Sequence, residues 1–221
     1  MAHARLTPWP ILLLLASCAA PLGRGEFGHA APTRQPSPAS GASARAPSGF
    51  WGAARPVSAL GQGLVMPLPD VEGWRRNRSE KQSWVAEHRA TSSRLVVRVW
   101  THDRVARLED CERQARMWRS DLPQLAPLEI VEARDRVLLG SYAGKVTVGV
   151  REEAAAGGAC LSGHVLAFGS DARSCMLLSF STAASGPGAA RVVAERLGTM
   201  SKVFDRVQRV GIDDRISVEP L

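Results

Sequence analysis

The sequence has no apolar run long enough to cross a bilayer as a helix. Such a span needs about 20 residues, and the stretch Ile11-Leu12-Leu13-Leu14-Leu15 is far shorter. Catalytic and ligand-binding signatures are missing too. There is no H-E-x-x-H spacing for zinc, no G-x-S-x-G elbow for a serine hydrolase and no G-x-x-x-x-G-K-[ST] phosphate loop. No C-x-x-C pair occurs, so a thioredoxin-like redox role is not expected. Gly157-Gly158 does not follow a strand and open a helix, and reads as loop. These gaps exclude the enzyme classes that carry local motifs. They leave open only a site assembled from residues distant in sequence. No metal site and no cofactor is expected.

Lysine is also scarce. Of 28 basic residues only Lys81, Lys145 and Lys202 are lysine, and the rest are arginine. That balance fits the codon usage of a GC-rich genome. The 221 residues carry a formal charge of +7. Its distribution argues against a nucleic-acid partner, and none is expected: residues 1–55 hold +4 and residues 56–221 hold +3. A basic stripe, not a mild excess, is the footprint of a nucleic-acid binder. With 45% hydrophobic residues the chain has enough apolar side chains for a core.

The N-terminus reads as an address. Arg5 precedes the apolar run, and Leu15-Ala16-Ser17-Cys18 follows it. Residues 1–17 suit a signal peptide, which is left out of fold reasoning. The four residues ending at Cys18 resemble the lipobox of bacterial lipoproteins. That resemblance implies a diacylglyceryl group on the Cys18 sulfur, cleavage before it, and acylation of the new amine. One acyl chain holds a protein only marginally, whereas two or three make attachment persistent. Residue 19 is alanine and not aspartate. By the familiar sorting rule this favours the outer membrane over the inner, with the domain in the periplasm. The general texture is similar to that of lipoproteins from GC-rich bacteria such as myxobacteria.

Residues 18–56 are dominated by Pro, Gly, Ser and Ala and show no helical or strand period. Such a segment buries too little apolar area to offset chain entropy. It reads as a flexible tether with a root-mean-square span of roughly 35 Å. Phe50-Trp51 is its only aromatic pair, either a short docking element or an unstructured boundary.

Residues 57–221 read as one folded domain. Strands are expected at Gly63–Pro69, at 82–90 and at Arg94–Trp100. Period-two alternation and β-branched residues mark them. Leu108, Cys111, Ala115 and Trp118 then repeat at helical spacing within 105–119. Leu128–Leu139 and Ala143–Arg151 read as a hairpin, then a small-residue loop at Ala154–Ala159. Gly163–Phe168 and Ser174–Ser181 read as another hairpin. A long amphipathic helix over 187–208 closes the domain, with Pro187 in its first turn. This order gives an α+β domain with a mainly antiparallel sheet and two helices packed on it. The order resembles that of PsbP-like and Mog1-like α/β proteins, a fold-level likeness that implies little about function.

Three cysteines remain beyond Cys18. Cys111 lies on the apolar face of the first helix, where it should meet the sheet. Cys111–Cys175 is the preferred disulfide, with Cys111–Cys160 and fully reduced buried thiols as alternatives. The histidines beyond the signal peptide, His29, His88, His102 and His164, share no ligand spacing. Trp84, Trp100 and Trp118 suit core packing. Trp74 is the best candidate for an exposed aromatic, being next to Arg75, Arg76 and Arg78. Those four residues form a candidate surface for a glycan, an anionic lipid headgroup or another envelope protein. A pocket gathering His88, His102 or His164 with carboxylates would favour an enzyme.

Overall fold

The computed structural model describes Trp51 and residues 53–59, 61–155 and 158–210. Cys18, the signal peptide and all but the last residues of the tether lie outside the described residues. The chain forms an α+β fold, with two α-helices packed on a large antiparallel sheet. No helix among the described residues is long and apolar enough to cross a membrane.

Two strands at the start make a hairpin, β1 (Ala54–Ala59) and β2 (Leu64–Pro69). The β2 prolines are tolerated for a physical reason: proline cannot donate to a ladder and belongs at an edge. The other neighbour of β2 is the two-residue β10 (Gln208–Arg209), which pairs only with Val65 and Leu64. Pro67 and Pro69 therefore sit where that side of β2 is open.

The large sheet follows. Its strands are β3 (Trp74–Asn77), β4 (Trp84–His88), β5 (Ser93–Thr101), β6 (Ile130–Leu138), β7 (Tyr142–Ala155), β8 (Gly158–Asp171) and β9 (Ser174–Ser185). They are ordered β3-β4-β5-β9-β8-β7-β6, and every neighbouring pair is antiparallel. β7 and β8 run further than their apolar cores suggest. Ala154 pairs with Ala159 and Ala155 with Gly158, so the small-residue stretch expected as a loop is mostly ladder. Ser174–Thr182 of β9 lies opposite the whole of β5, which makes this pair the middle of the sheet.

Period two divides the side chains between two faces. On one face Met176, Leu178 and Phe180 of β9 meet Val165 and Ala167 of β8. Helix α2 (Ala189–Phe204) covers this face with Val193, Leu197, Met200 and Phe204, beside Leu64, Met66 and Leu68 of β2. The approach is close. A Cβ at Gly163 would sit 2.5 Å from Val193 Cγ1, so glycine lets the helix down onto β8. On the other face Cys175 and Leu177 of β9 and Leu166 and Phe168 of β8 meet helix α1 (Leu108–Trp118) through Cys111 and Ala115.

Helix α1 begins later than the spacing from residue 105 suggests. The N–H of Ala106 donates to the Ala172 carbonyl at 2.7 Å, and that of His102 to the Arg173 carbonyl at 2.6 Å. These bonds hold the connection extended along the β8–β9 turn until Arg107. Cys111 and Cys175 form a disulfide that fastens α1 to the central strand, with Cα atoms 5.4 Å apart. Cys160 is a buried thiol in β8 outside that bond.

A candidate polar cavity on the α1 face

Near the middle of the sheet, the α1 face changes character. Along β9 the residues on this face run Cys175, Leu177, Ser179, Ser181, from apolar to polar. Along β8 they run Phe168, Leu166, His164, Ser162. His164 lies opposite Ser181, and Ser181 lies opposite Arg94 on β5, so the three form one row across three strands. Helix α1 stops short of this row. The segment after it, Asp121-Leu122-Pro123, forms one wall, and Arg151 and Glu153 of β7 form the other. The result is a cavity of about 200 Å³. That is smaller than the sites that hold drug-sized ligands, so it has room for one small group or one unit of a larger molecule.

The cavity's charges are already matched. Arg94 donates to Asp121 at 2.6 Å, and Arg119 grips the same carboxylate through two nitrogens and Glu80 at 3.0 Å. Burial pulls Asp121 upward, but hydrogen bonds and charge from Arg119 and then Arg94 outweigh it, and its pKa is lowered. Arg151 binds Glu129 through two nitrogens, at 2.7 and 2.8 Å. With the Ala126 N–H, that holds Glu129 down at about 2. Glu153 accepts a hydrogen bond from Ser162 Oγ at 2.9 Å.

His164 is different. Burial, then the Arg151 charge, lowers its pKa, while Glu153 and Glu129 pull the other way. The imidazole is therefore neutral at pH 7. Its Nδ1 is buried and has no hydrogen-bond partner among the described residues. A neutral ring beside two serine hydroxyls offers donors and acceptors without net charge.

The residues singled out from sequence are not brought together. Trp74 is not an exposed aromatic but is only 1% accessible. The reason is alternation on β3. Trp74 and Arg76 share the face turned to α2, while Arg75 points the other way and Arg78 lies in the turn beyond. The Trp74 indole donates to the Pro69 carbonyl at 3.0 Å, which satisfies its polar atom inside. The expected Trp74, Arg75, Arg76 and Arg78 surface is thus split between core, two faces and a turn. Trp84 and Trp100 are buried. Trp118 is 42% exposed and carries the Arg98 guanidinium over its ring at 3.9 Å.

His88 makes a second polar group. Its Nε2 meets Asp70 Oδ2 at 3.0 Å, and its Nδ1 meets Thr91 Oγ1 at 2.9 Å. The chain continues through Ser93 and Thr182 to Arg196. This resembles a catalytic Asp–His–hydroxyl set only in order. Thr91 is 6% accessible and bonded to its own turn, so no substrate reaches it. Trp51 packs beside His88 with centroids 6.4 Å apart, and against Trp74 and Phe180. The aromatic pair at the end of the tether thus places one member on the domain's core. His102 lies in the loop after β5, where its Nδ1 accepts from the Arg104 N–H at 3.3 Å.

No family model and no curated protein matches the chain. Among solved structures it is similar to a crystal structure of a protein from Bacteroides thetaiotaomicron, with 11% identity and a TM-score of 0.37. That match covers 76% of this chain and 52% of the other, so the chain spans about half the length of that protein.

Proposed function

We propose that the chain is a lipid-anchored lipoprotein of a bacterial envelope whose domain binds a small neutral, hydroxyl-bearing group, such as one unit of a glycan, in the cavity at His164. The observation that carries the binding half is the charge balance of that cavity. Both arginines are engaged by carboxylates, the imidazole is neutral, and Ser179, Ser181 and His164 line the space between them. An anion would have to displace an existing carboxylate, whereas a hydroxyl can both donate to and accept from these groups. The anchoring half rests on the lipobox resemblance at Cys18.

Two experiments test the halves separately. Cys18→Ala, followed by fractionation and lipid labelling, should release the protein from the membrane and abolish the label. Unchanged membrane association would end the anchor reading. Saturation-transfer NMR with soluble envelope glycan fragments should show transfer to wild type and none to Ser181→Leu, which fills the cavity. Equal transfer to both proteins would place the binding elsewhere.

One observation favours a second reading. The cavity gathers His164 with Asp121 and Glu153, the combination expected of an enzyme. General base work requires an oriented imidazole. Among the described residues no carboxylate hydrogen-bonds His164, and both acids are committed to other partners. Turnover of a bound fragment, lost in His164→Gln with binding retained, would select the enzyme.

A further inference from the structure

The outer edge of β6 is the longest unpaired strand edge of the large sheet. Among the described residues β6 pairs with β7 on one side only, and seven of its nine residues are exposed. Val131 and Val137 are 71% and 70% accessible. An edge of this length is a template for strand addition. The charges and the exposed valines along it together decide what would add.

We propose that β6 pairs antiparallel with β6 of a second copy, about a two-fold axis at Arg134. In that register Glu132 lies opposite Arg136 of the second copy, and the pair occurs twice. Val131, at the bulge in β6, comes level with Val137 of the second copy, also twice. Neighbouring registers lose the Val131–Val137 contact, and some of them oppose like charges. An axis at Asp135 sets Arg134 against Arg136. An axis between Ala133 and Arg134 sets Glu132 against Asp135. An axis at Ala133 pairs Glu132 with Arg134 but sets Val131 against Asp135 and Ile130 against Arg136, and an axis between Arg134 and Asp135 pairs those two but sets Glu132 against Val137. Like charges opposed across strands destabilise, and opposite ones stabilise. In the favoured register the two Arg134 side chains meet at the axis. Each is held by two carboxylates of its own chain, Glu132 at 2.7 Å and Asp205 at 3.2 Å, so neither charge is uncompensated. The contact is self-complementary, as a two-fold interface requires. It joins two seven-stranded sheets edge to edge. The cavity at His164 stays on the α1 face of each copy, so the inference stands independently of what that cavity binds.

The test uses the full chain carrying Cys18→Ala, so that no lipid is added, in sedimentation equilibrium over a wide concentration range. The wild-type β6 sequence should self-associate to dimer and no further. Glu132→Arg and Arg136→Glu should each weaken the dimer about tenfold or more, because each reverses two pairs. The double variant should recover most of the affinity, since it restores both pairs with exchanged signs. Circular dichroism should be unchanged throughout, as both side chains are exposed. A monomer at every concentration would overturn the inference. So would a dimer indifferent to single reversals, or a double variant as weak as either single one.

Discussion

Removing the Cys111–Cys175 disulfide should cost this domain about 4 kcal/mol. The two cysteines are 64 residues apart in sequence. In the chain-entropy model a closed loop of that length removes close to 4 kcal/mol of unfolded-state freedom, while measured values commonly fall at 2–4. For a domain of this size that corresponds to a fall in Tm of roughly 10 °C. The loss should also be local. Beyond the disulfide, α1 meets the sheet through Ala115, Leu108 and the Trp118 ring against Trp100, a small contact that opening the bond should loosen. The assay is urea unfolding of wild type, of reduced wild type and of the Cys111→Ala/Cys175→Ala double variant, with amide exchange measured on α1 and on β5. Exchange in α1 should rise well before exchange in β5. The segment Asp121–Pro123 leaves α1 directly and walls the cavity, so ligand affinity should fall with it. A stability loss below about 1 kcal/mol, or equal acceleration of α1 and β5, would refute the reasoning that the bond is what docks this helix.

Other substitutions probe the packing and the charges. Gly73→Ala should destabilise by about 1–3 kcal/mol in urea, because the new Cβ would lie 1.9 Å from His88 Nε2, in a buried ring hydrogen-bonded through both nitrogens. Trp51→Ala should cost about 2 kcal/mol, half the usual loss for a core tryptophan, since the ring is half-buried against Trp74 and Phe180. For His164 the folded pKa lies below the ordinary value of 6.5, so the unfolded chain binds the proton more readily. Its contribution is therefore present above pH 6.5 and is lost as pH falls through the folded value. Urea midpoints should drop between neutral and mildly acidic pH, and His164→Leu should flatten that slope. Glu129, held at about 2, adds a further loss only in stronger acid.

The elements that period and β-branching mark clearly are present: β5, the β6–β7 and β8–β9 hairpins and both helices. Their apolar positions are set by which face meets which layer, and that is written in spacing. What stays hidden depends on neighbours distant in sequence. β3 is four residues, three of them Arg or Asn, and reads as a polar turn. Only its pairing with β4 turns Trp74 inward. The late start of α1 depends on hydrogen bonds to the β8–β9 turn, made by residues some seventy positions away. The cavity is hidden for the same reason, since its lining comes from four strands and one loop. One local signal did exist. Ser179 and Ser181 on β9, and Ser162 and His164 on β8, place polar side chains two apart in strands that are otherwise apolar on that face. A polar stripe at period two on a central strand is a site signature that no short motif records.

The most direct test of the account follows the His164 imidazole by nitrogen–proton NMR during ligand addition. Neutral sugars such as N-acetylglucosamine should shift the His164 ring signals at pH 7, while acetate and phosphate at equal concentration leave them unmoved. The shift should disappear in Ser181→Leu. A response to the anions alone, or a ring that stays silent to every neutral sugar at saturating concentration, would contradict the assignment of this cavity as a site for a neutral hydroxyl-bearing group.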